Sequence, residues 1–201
     1  YREARGLRAT AKALAIAQVV LASILAIIAF AIALDPVNTD PSTPVGVSLV
    51  LIAASLPAWS SFLVWLVVTH RNARILQIRG LESQAWLFCQ VAVPVLSSVL
   101  GGRAVGRLWR AIAHADERGA GAVKHLPVLW TAAGLVWALA SIVGGLLGFQ
   151  EAIVPAMLVS TVQCIATVVR GTLRVRVIND VSDRLDTRAR PWFTREITPD
   201  R

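Results

Sequence analysis

Charge is the scarcest commodity of this chain. Of its 201 residues only 16% are Asp, Glu, Lys or Arg, against roughly a quarter in ordinary soluble domains, while 56% are hydrophobic and the mean hydropathy is +0.63. The apolar residues are gathered into long runs, which excludes a soluble one- or two-domain protein and predicts an integral membrane protein. Cysteine is nearly absent. Cys89 and Cys164 both fall inside apolar stretches, with no CxxC and no neighbouring His at metal-ligand spacing, so neither a structural disulfide nor a metal site is expected. There is also no GxSxG, no HExxH, no phosphate-cradling glycine loop and no carboxylate pair placed for acid-base work. No acidic or basic residue stands at the centre of an apolar run, where one would cost ~2.5 to 3.5 kcal/mol on insertion. These absences argue against an enzyme, a proton-coupled transporter or a voltage sensor, and no cofactor is called for. His70, His114 and His125 sit at the ends of the apolar runs and read as surface residues.

One further absence sets the topology. The two connections around Asp35 to Pro44 and Phe149 to Glu151 carry Asp35, Asp40 and Glu151 and no basic residue. All twenty basic residues, with nine of the twelve acidic ones, fall on the other side, a net +11 against −3. Basic residues near span ends are held on the cytoplasmic side, so the N- and C-termini are both expected inside. The basic side would face anionic headgroups of the inner leaflet. Nucleic acid is not expected as a partner, because the basic residues lie within a turn or two of apolar segments and no nucleic-acid motif surrounds them. Only two of the twenty basic residues are Lys, and the abundance of Arg, Ala and Val suggests a GC-rich genome and a bacterial plasma membrane.

Four apolar runs read as transmembrane helices, at about residues 11–34, 45–69, 128–149 and 152–169. The first would cover ~36 Å against a hydrocarbon core of ~30 Å; it is too long for an ordinary signal h-region and is expected to be a retained span. Pro57 lies inside the second and predicts a kink, with Ser60 and Ser61 as candidate partners for freed backbone groups. Residues 85–102 are harder to place. Ala85 to Leu100 would reach only ~24 Å as a helix, contains Pro94 and ends in Gly101-Gly102. A crossing there would put Arg103, Arg107, Arg110, Arg118 and Lys124 outside, so a re-entrant or in-plane segment is expected in preference to a fifth crossing. Residues 103–118 place Val105, Leu108, Trp109 and Ile112 on one helical face and Arg103, Arg107 and Arg110 largely on the other, which suits an interfacial helix or a cap on the inner end of the bundle. Residues 171–188 form a second amphipathic helix, with Leu173, Val177, Ile178, Val181 and Leu185 as its stripe. The helix should end near Pro191, and residues 191–201 read as a tail. The chain is thus an all-α membrane protein with one domain over residues 1–190.

Two intramembrane faces stand out. Gly134, Ala138, Ser141, Gly145 and Gly148 recur at spacings of four, three, four and three, a surface on which another helix can approach closely, either within the bundle or in another subunit. On the last span Ser160, Gln163, Cys164 and Thr167 share a face suited to interhelical hydrogen bonds or to lining a solute path.

The order of motifs also resembles a known pattern. Trp65 is followed by Arg71-Asn72, Trp86 by Pro94, and then comes Leu108-Trp109-Arg110-Ala111. This resembles an uncharacterised actinobacterial polytopic membrane family, a domain of unknown function with W…RN, W…P and LWRA motifs, over roughly residues 6 to 180. Ser97, Gly101 and Gly106-Arg107 depart from its pattern. The resemblance implies a several-helix membrane fold and no known activity. It directs attention to Arg71, Asn72, Trp86, Pro94, Trp109 and Arg110 as a cluster at the inner interface, with Asn72 satisfying backbone groups freed at Pro94 or near Gly101 and Arg71 or Arg110 engaging carbonyls or lipid phosphate. The function expected from the whole is that of an accessory, scaffold or regulatory membrane subunit. Its expected partners are anionic inner-leaflet lipid and another membrane protein or a second copy of the chain. The alternative is a small channel or facilitator between the kinked second span and the polar face of the last.

Overall fold

A computed structural model describes residues 2–36, 40, 42–92, 100–114, 125–148 and 152–197, the side chains of 2–4, 92, 114, 148 and 191–197 excepted. The described residues form helices α1 (Arg2–Leu34), α2 (Thr43–Ile75), α3 (Gln84–Ala92), α4 (Gly102–His114), α5 (Leu126–Gly148) and α6 (Ile153–Ile197), and no strand. Four of them, α1, α2, α5 and α6, are long and apolar enough to cross a bilayer. In lipid the helix is the natural choice, because it satisfies every backbone polar group within the segment. Prolines mark the starts of three: Pro44 and Pro127 each stand second in their helix and Pro155 third, where the missing N–H has no partner to lose. Asp40 shapes the turn before α2. Its carboxylate accepts from the Ser42 N–H at 2.7 Å, and hydrogen bonding to Ser42, side chain first and backbone second, holds that carboxyl below its ordinary range.

The seam of the bundle is made by small residues of α1. Ala11, Ala15, Gln18, Ala22, Ala29 and Ala33 are all buried, at spacings that keep one face of a helix turned inward. Ile16, Ile24, Ile27 and Phe30 point outward. Alanine on the seam lets α6 lie close along α1, and these two helices form the most extensive pairing in the fold. At the closest approach, a Cβ on Gly171 would sit 2.5 Å from Val19 Cγ2. The pair also meets beyond the apolar run, where Arg8 donates to Asp183 at 2.7 Å and lies 3.5 Å from Asp186. The first and last helices therefore run antiparallel.

Packing quality is uneven along the bundle axis. The half holding Asp35 and Ile153 is filled by Ala22, Ala29, Ala33, Val47, Leu51, Met157 and Cys164. The opposite half has a larger core, in which Phe62, Trp65, Trp109 and Trp130 are buried with Leu66, Val105, Ile112, Val177, Ile178 and Val181. Phe62 is the hub, with its ring centroid 5.6 Å from Trp65 and 5.7 Å from Trp130. The stripe read from residues 171–188 is buried here in full. It belongs to the same continuous helix as the last span, which runs through Pro191 to Ile197 and not to a stop near Pro191. A proline only two turns from a helix end forfeits few backbone bonds.

The segment between α2 and α5 folds onto this larger core. The α2–α3 turn needs a left-handed backbone at Gln77 (φ 55) and Gly80 (φ 81). His70 Nε2 donates to the Glu82 carbonyl at 2.9 Å and Arg74 Nη2 donates to the same oxygen at 3.2 Å, while the Glu82 carboxylate pairs with Arg107 of α4. On α4, Ala104, Val105, Leu108, Trp109 and Ile112 are buried and Arg103, Arg107 and Arg110 are exposed, as the spacing requires. Its glycines set its depth: a Cβ on Gly106 would lie 2.6 Å from Pro127 Cγ, and one on Gly102 would lie 2.8 Å from the Pro127 carbonyl oxygen. α3 spans nine residues, ~14 Å of helix. The placement of 85–102 turns on residues 93–99, which include Pro94 and lie outside the described residues.

Candidate functional site

A charged polar chain lies inside the bundle, where the apolar run of α6 ends. Arg174 is 4% exposed, and its Nη1 donates to Gln18 Oε1 at 3.0 Å. The Gln18 Nε2 donates to Ser55 Oγ at 2.7 Å, and the Ser55 hydroxyl donates to the Leu51 carbonyl at 2.7 Å. The direction of the chain is fixed at its first link. A guanidinium has only donors, so the Gln18 amide turns its oxygen to Arg174 and its nitrogen to Ser55. The Arg174 guanidinium also stands 5.7 Å from the Phe62 ring centroid, and that of Arg170 stands 5.8 Å from the Trp137 ring, both within cation–π range. Arg174 makes no ion pair with a described carboxylate, and its buried Nε has no acceptor among the described residues.

These groups border a groove of about 260 Å3 between α1, α2, α5 and α6, lined by Gln18, Ser55, Trp59, Trp137, Thr167 and the two arginines, with Ile52 and Leu56 at its mouth. Leu56 is 57% exposed and Ile52 43%, so the groove opens sideways, past aliphatic side chains. Toward the half of the bundle holding Asp35 and Ile153, the interior is closed by Ala22, Leu51 and Cys164.

The polar face read on the last span is inward in the structure. Ser160, Gln163, Cys164 and Thr167 are all buried. Gln163 Nε2 donates to Ser141 Oγ at 3.1 Å, while Ser160 and Thr167 donate to the carbonyls of Ala156 and Gln163, both at 2.9 Å. Such intramembrane bonds contribute little, about 0.6 kcal/mol on average. Ser141→Ala is therefore expected to lower the thermal midpoint by only a degree or two, as read by a melting curve in detergent.

The face read on α5 is rotated slightly from its expected centre. Gly134 is buried, Ala138 and Ser141 are half-buried, and a Cβ on Gly144 would lie 3.3 Å from Val159 of α6. A Cβ on Gly145 would have nothing within 4 Å, and the surroundings of Gly148 lie outside the described residues. Ser141 and Gly144, three apart, together with Ala133 and Ala140, carry the contact.

The residues of the expected motif cluster are placed as follows. Asn72 lines a cavity of about 20 Å3 with Arg5, Arg8, Trp65, Thr69, Ser182 and Asp186, room for about one water molecule. Trp109 is in the aromatic core. Arg71 is exposed, as is Trp86, and Arg110 Nε donates to the Gly106 carbonyl at 3.3 Å. Pro94 lies outside the described residues, and with it the expected contact between Asn72 and that proline. His70 is buried against Glu82, His125 is exposed, and the His114 side chain is not among those described.

The bounds read from the sequence leave Arg170 between the last span and the amphipathic helix and place Arg174 on that helix, outside the membrane. The signal was present: Ser160, Gln163, Thr167, Arg170 and Arg174 recur at spacings of three, four, three and four, a single helical stripe that continues past the apolar run. No protein-family model, curated protein or solved structure matches this chain.

Proposed function

We propose that this protein is a non-enzymatic accessory, scaffold or regulatory subunit of a bacterial plasma membrane, crossing four times with both termini in the cytoplasm. The observation that carries this reading is where the packing is concentrated. The buried aromatics gather at the basic half of the molecule, and α3, α4 and the Glu82 turn are fastened to it. Such an arrangement builds a rigid platform that holds Arg71, Arg103 and Arg110 outward, toward anionic headgroups or a partner. The resemblance to the actinobacterial family of unknown function belongs to the same reading.

Purification of the full chain in mild detergent is expected to bring a stoichiometric membrane partner with it, and Arg71→Gln/Arg103→Gln/Arg110→Gln to reduce that recovery severalfold. Recovery of the chain alone from native membranes would remove the reading. Orientation is tested separately: a cysteine placed at Ala120 should resist an impermeant maleimide applied to intact cells, and labelling there would turn the segment into a fifth crossing.

The alternative, a small channel or facilitator, is favoured by one observation. The groove lies between α2 and the polar face of α6, with Gln18, Ser55 and Thr167 on its wall. Against it stands the apolar filling by Ala22, Leu51 and Cys164 on the outward side. A liposome flux assay decides; specific conduction that is lost in Gln163→Leu would establish the alternative.

A further inference from the structure

The groove beside Arg170 and Arg174 has the anatomy of a lipid headgroup site. Counted from Ile153, the start of α6, Arg170 and Arg174 stand ~26 and ~32 Å along the helix. With a hydrocarbon core of ~30 Å, that is the level of the inner-leaflet phosphates. Trp59 and Trp137 line the same groove, each about ten residues inside the inner end of its span, and so extend it toward the bilayer centre. From there the groove passes Leu56 and Ile52, one and two turns of α2 farther from its inner end than Trp59, and both are exposed on the surface of the bundle. Polar and cationic at its inner end, aliphatic toward the midplane and open at the side, the groove is laid out like a phospholipid of that leaflet.

Charge and size select the occupant further. Arg174 lines this groove, is buried and has no described carboxylate partner, and its Nε has no acceptor among the described residues. A buried cation without a counter-charge is costly, and a phosphodiester supplies both the charge and the acceptor oxygens that a guanidinium fork engages. A volume of about 260 Å3 lies just below the range of pockets that enclose a whole drug-sized ligand. It holds a phosphate and its glycerol ester while the acyl chains stay in the bilayer. We infer that this groove binds the phosphate of one anionic glycerophospholipid from the inner leaflet, held by Arg174 and Arg170, with its glycerol ester beside Trp59 and Trp137 and an acyl chain along Leu56 and Ile52. Basic pockets between transmembrane helices on the cytoplasmic side recognise lipid in this manner.

The inference rests on the four-crossing reading with basic ends inside, and its test separates the two. The full-length chain is exchanged into mixed micelles holding phosphatidylglycerol and phosphatidylcholine, and bound lipid is counted by native mass spectrometry. Phosphatidylglycerol should be preferred about thirtyfold, the product of two arginine contributions near the membrane surface. R170Q/R174Q should abolish the preference, while R79Q/R176Q, which removes two exposed arginines away from the groove, should retain it. L56W, which fills the mouth and leaves both charges in place, should also lower bound phosphatidylglycerol. It decides the matter if the arginine variant does not fold. No preference in the native chain, a preference that survives both R170Q/R174Q and L56W, or one lost in R79Q/R176Q would each overturn the site. Displacement of the lipid by excess inorganic phosphate would assign the arginines to a soluble phosphate ligand and overturn it equally. If the site fails while the Ala120→Cys thiol stays protected from outside, the site alone is lost; if that thiol labels, the topology beneath it is wrong.

Discussion

Gln18→Leu is expected to destabilise the protein by about 3 kcal/mol, the largest loss of any single change in α1, because it strips a buried charge of its hydrogen-bond acceptor. The substitution is nearly isosteric and more apolar, so hydropathy alone would predict a gain in a membrane helix. The sign is reversed by Arg174, whose Nη1 bonds to Gln18 at 3.0 Å, and by Ser55, which accepts from the same amide at 2.7 Å. In a chain of this length the loss corresponds to a fall in thermal midpoint of about 6 to 12 °C. Arg174→Leu combined with Gln18→Leu should recover at least half of it, since removing the charge removes the need for its acceptor. The two changes should therefore be strongly non-additive in a double-mutant cycle. Additive effects, or a single-mutant loss below about 1 kcal/mol, would show that Gln18 does not serve the arginine.

The second large effect is expected at Gly171. Alanine is ordinarily the better helix former by about 1 kcal/mol, yet Gly171→Ala should destabilise by about 1 to 3 kcal/mol net, the usual range for overpacking. The new Cβ would lie 2.5 Å from Val19 Cγ2, and valine, being β-branched, has little rotamer freedom with which to retreat. The α1–α6 seam would have to open to make room. Gly145→Ala offers the contrast within the same bundle. Nothing lies within 4 Å of its added carbon, so it should be neutral or mildly stabilising. Val19→Ala in the Gly171→Ala background removes the opposing methyl and should restore most of the lost stability. Equal melting temperatures for Gly171→Ala and Gly145→Ala would refute the close approach.

What could be read from the residues, and what could not, divides along a physical line. Run lengths reported the four long helices, because burying a backbone in lipid is a local requirement that each segment meets by itself. Periodicity reported the buried faces of α4 and of Leu173 to Leu185, since a helix fixes which residues share a side. Failures came where the answer depends on a distant partner. The polar stripe of α6 carries Arg174 to the inward face, but the acceptor it finds there is Gln18, and no pattern near residue 174 announces residue 18. Asn72 borders Arg8 and Asp186 because α6 returns past α2, a fact set by the bundle and not by the W…RN motif. The close helix contact was sought on α5, where glycine is conspicuous. The longest small-residue seam lies on α1 instead, where alanine, common throughout this chain, draws no notice. Gly102 and Gly106 went unread as packing residues because the arginines around them emphasised the polar face of α4.

The pairing of α1 with α6 has a consequence in time. Gln18 and Arg174 are 156 residues apart, and a ribosome adding ~5 to 20 residues per second needs about 8 to 30 s to cover that interval. Within it α2 arrives early and Ser55 can meet the Gln18 amide nitrogen, but the amide oxygen and the alanine seam that α6 will cover wait for a mate that does not yet exist. The fold thus closes last where it begins first. A nascent chain that releases α1 into open lipid early exposes that amide to the bilayer, while one held beside the insertion machinery until residue 174 emerges can shut the ring in a single step.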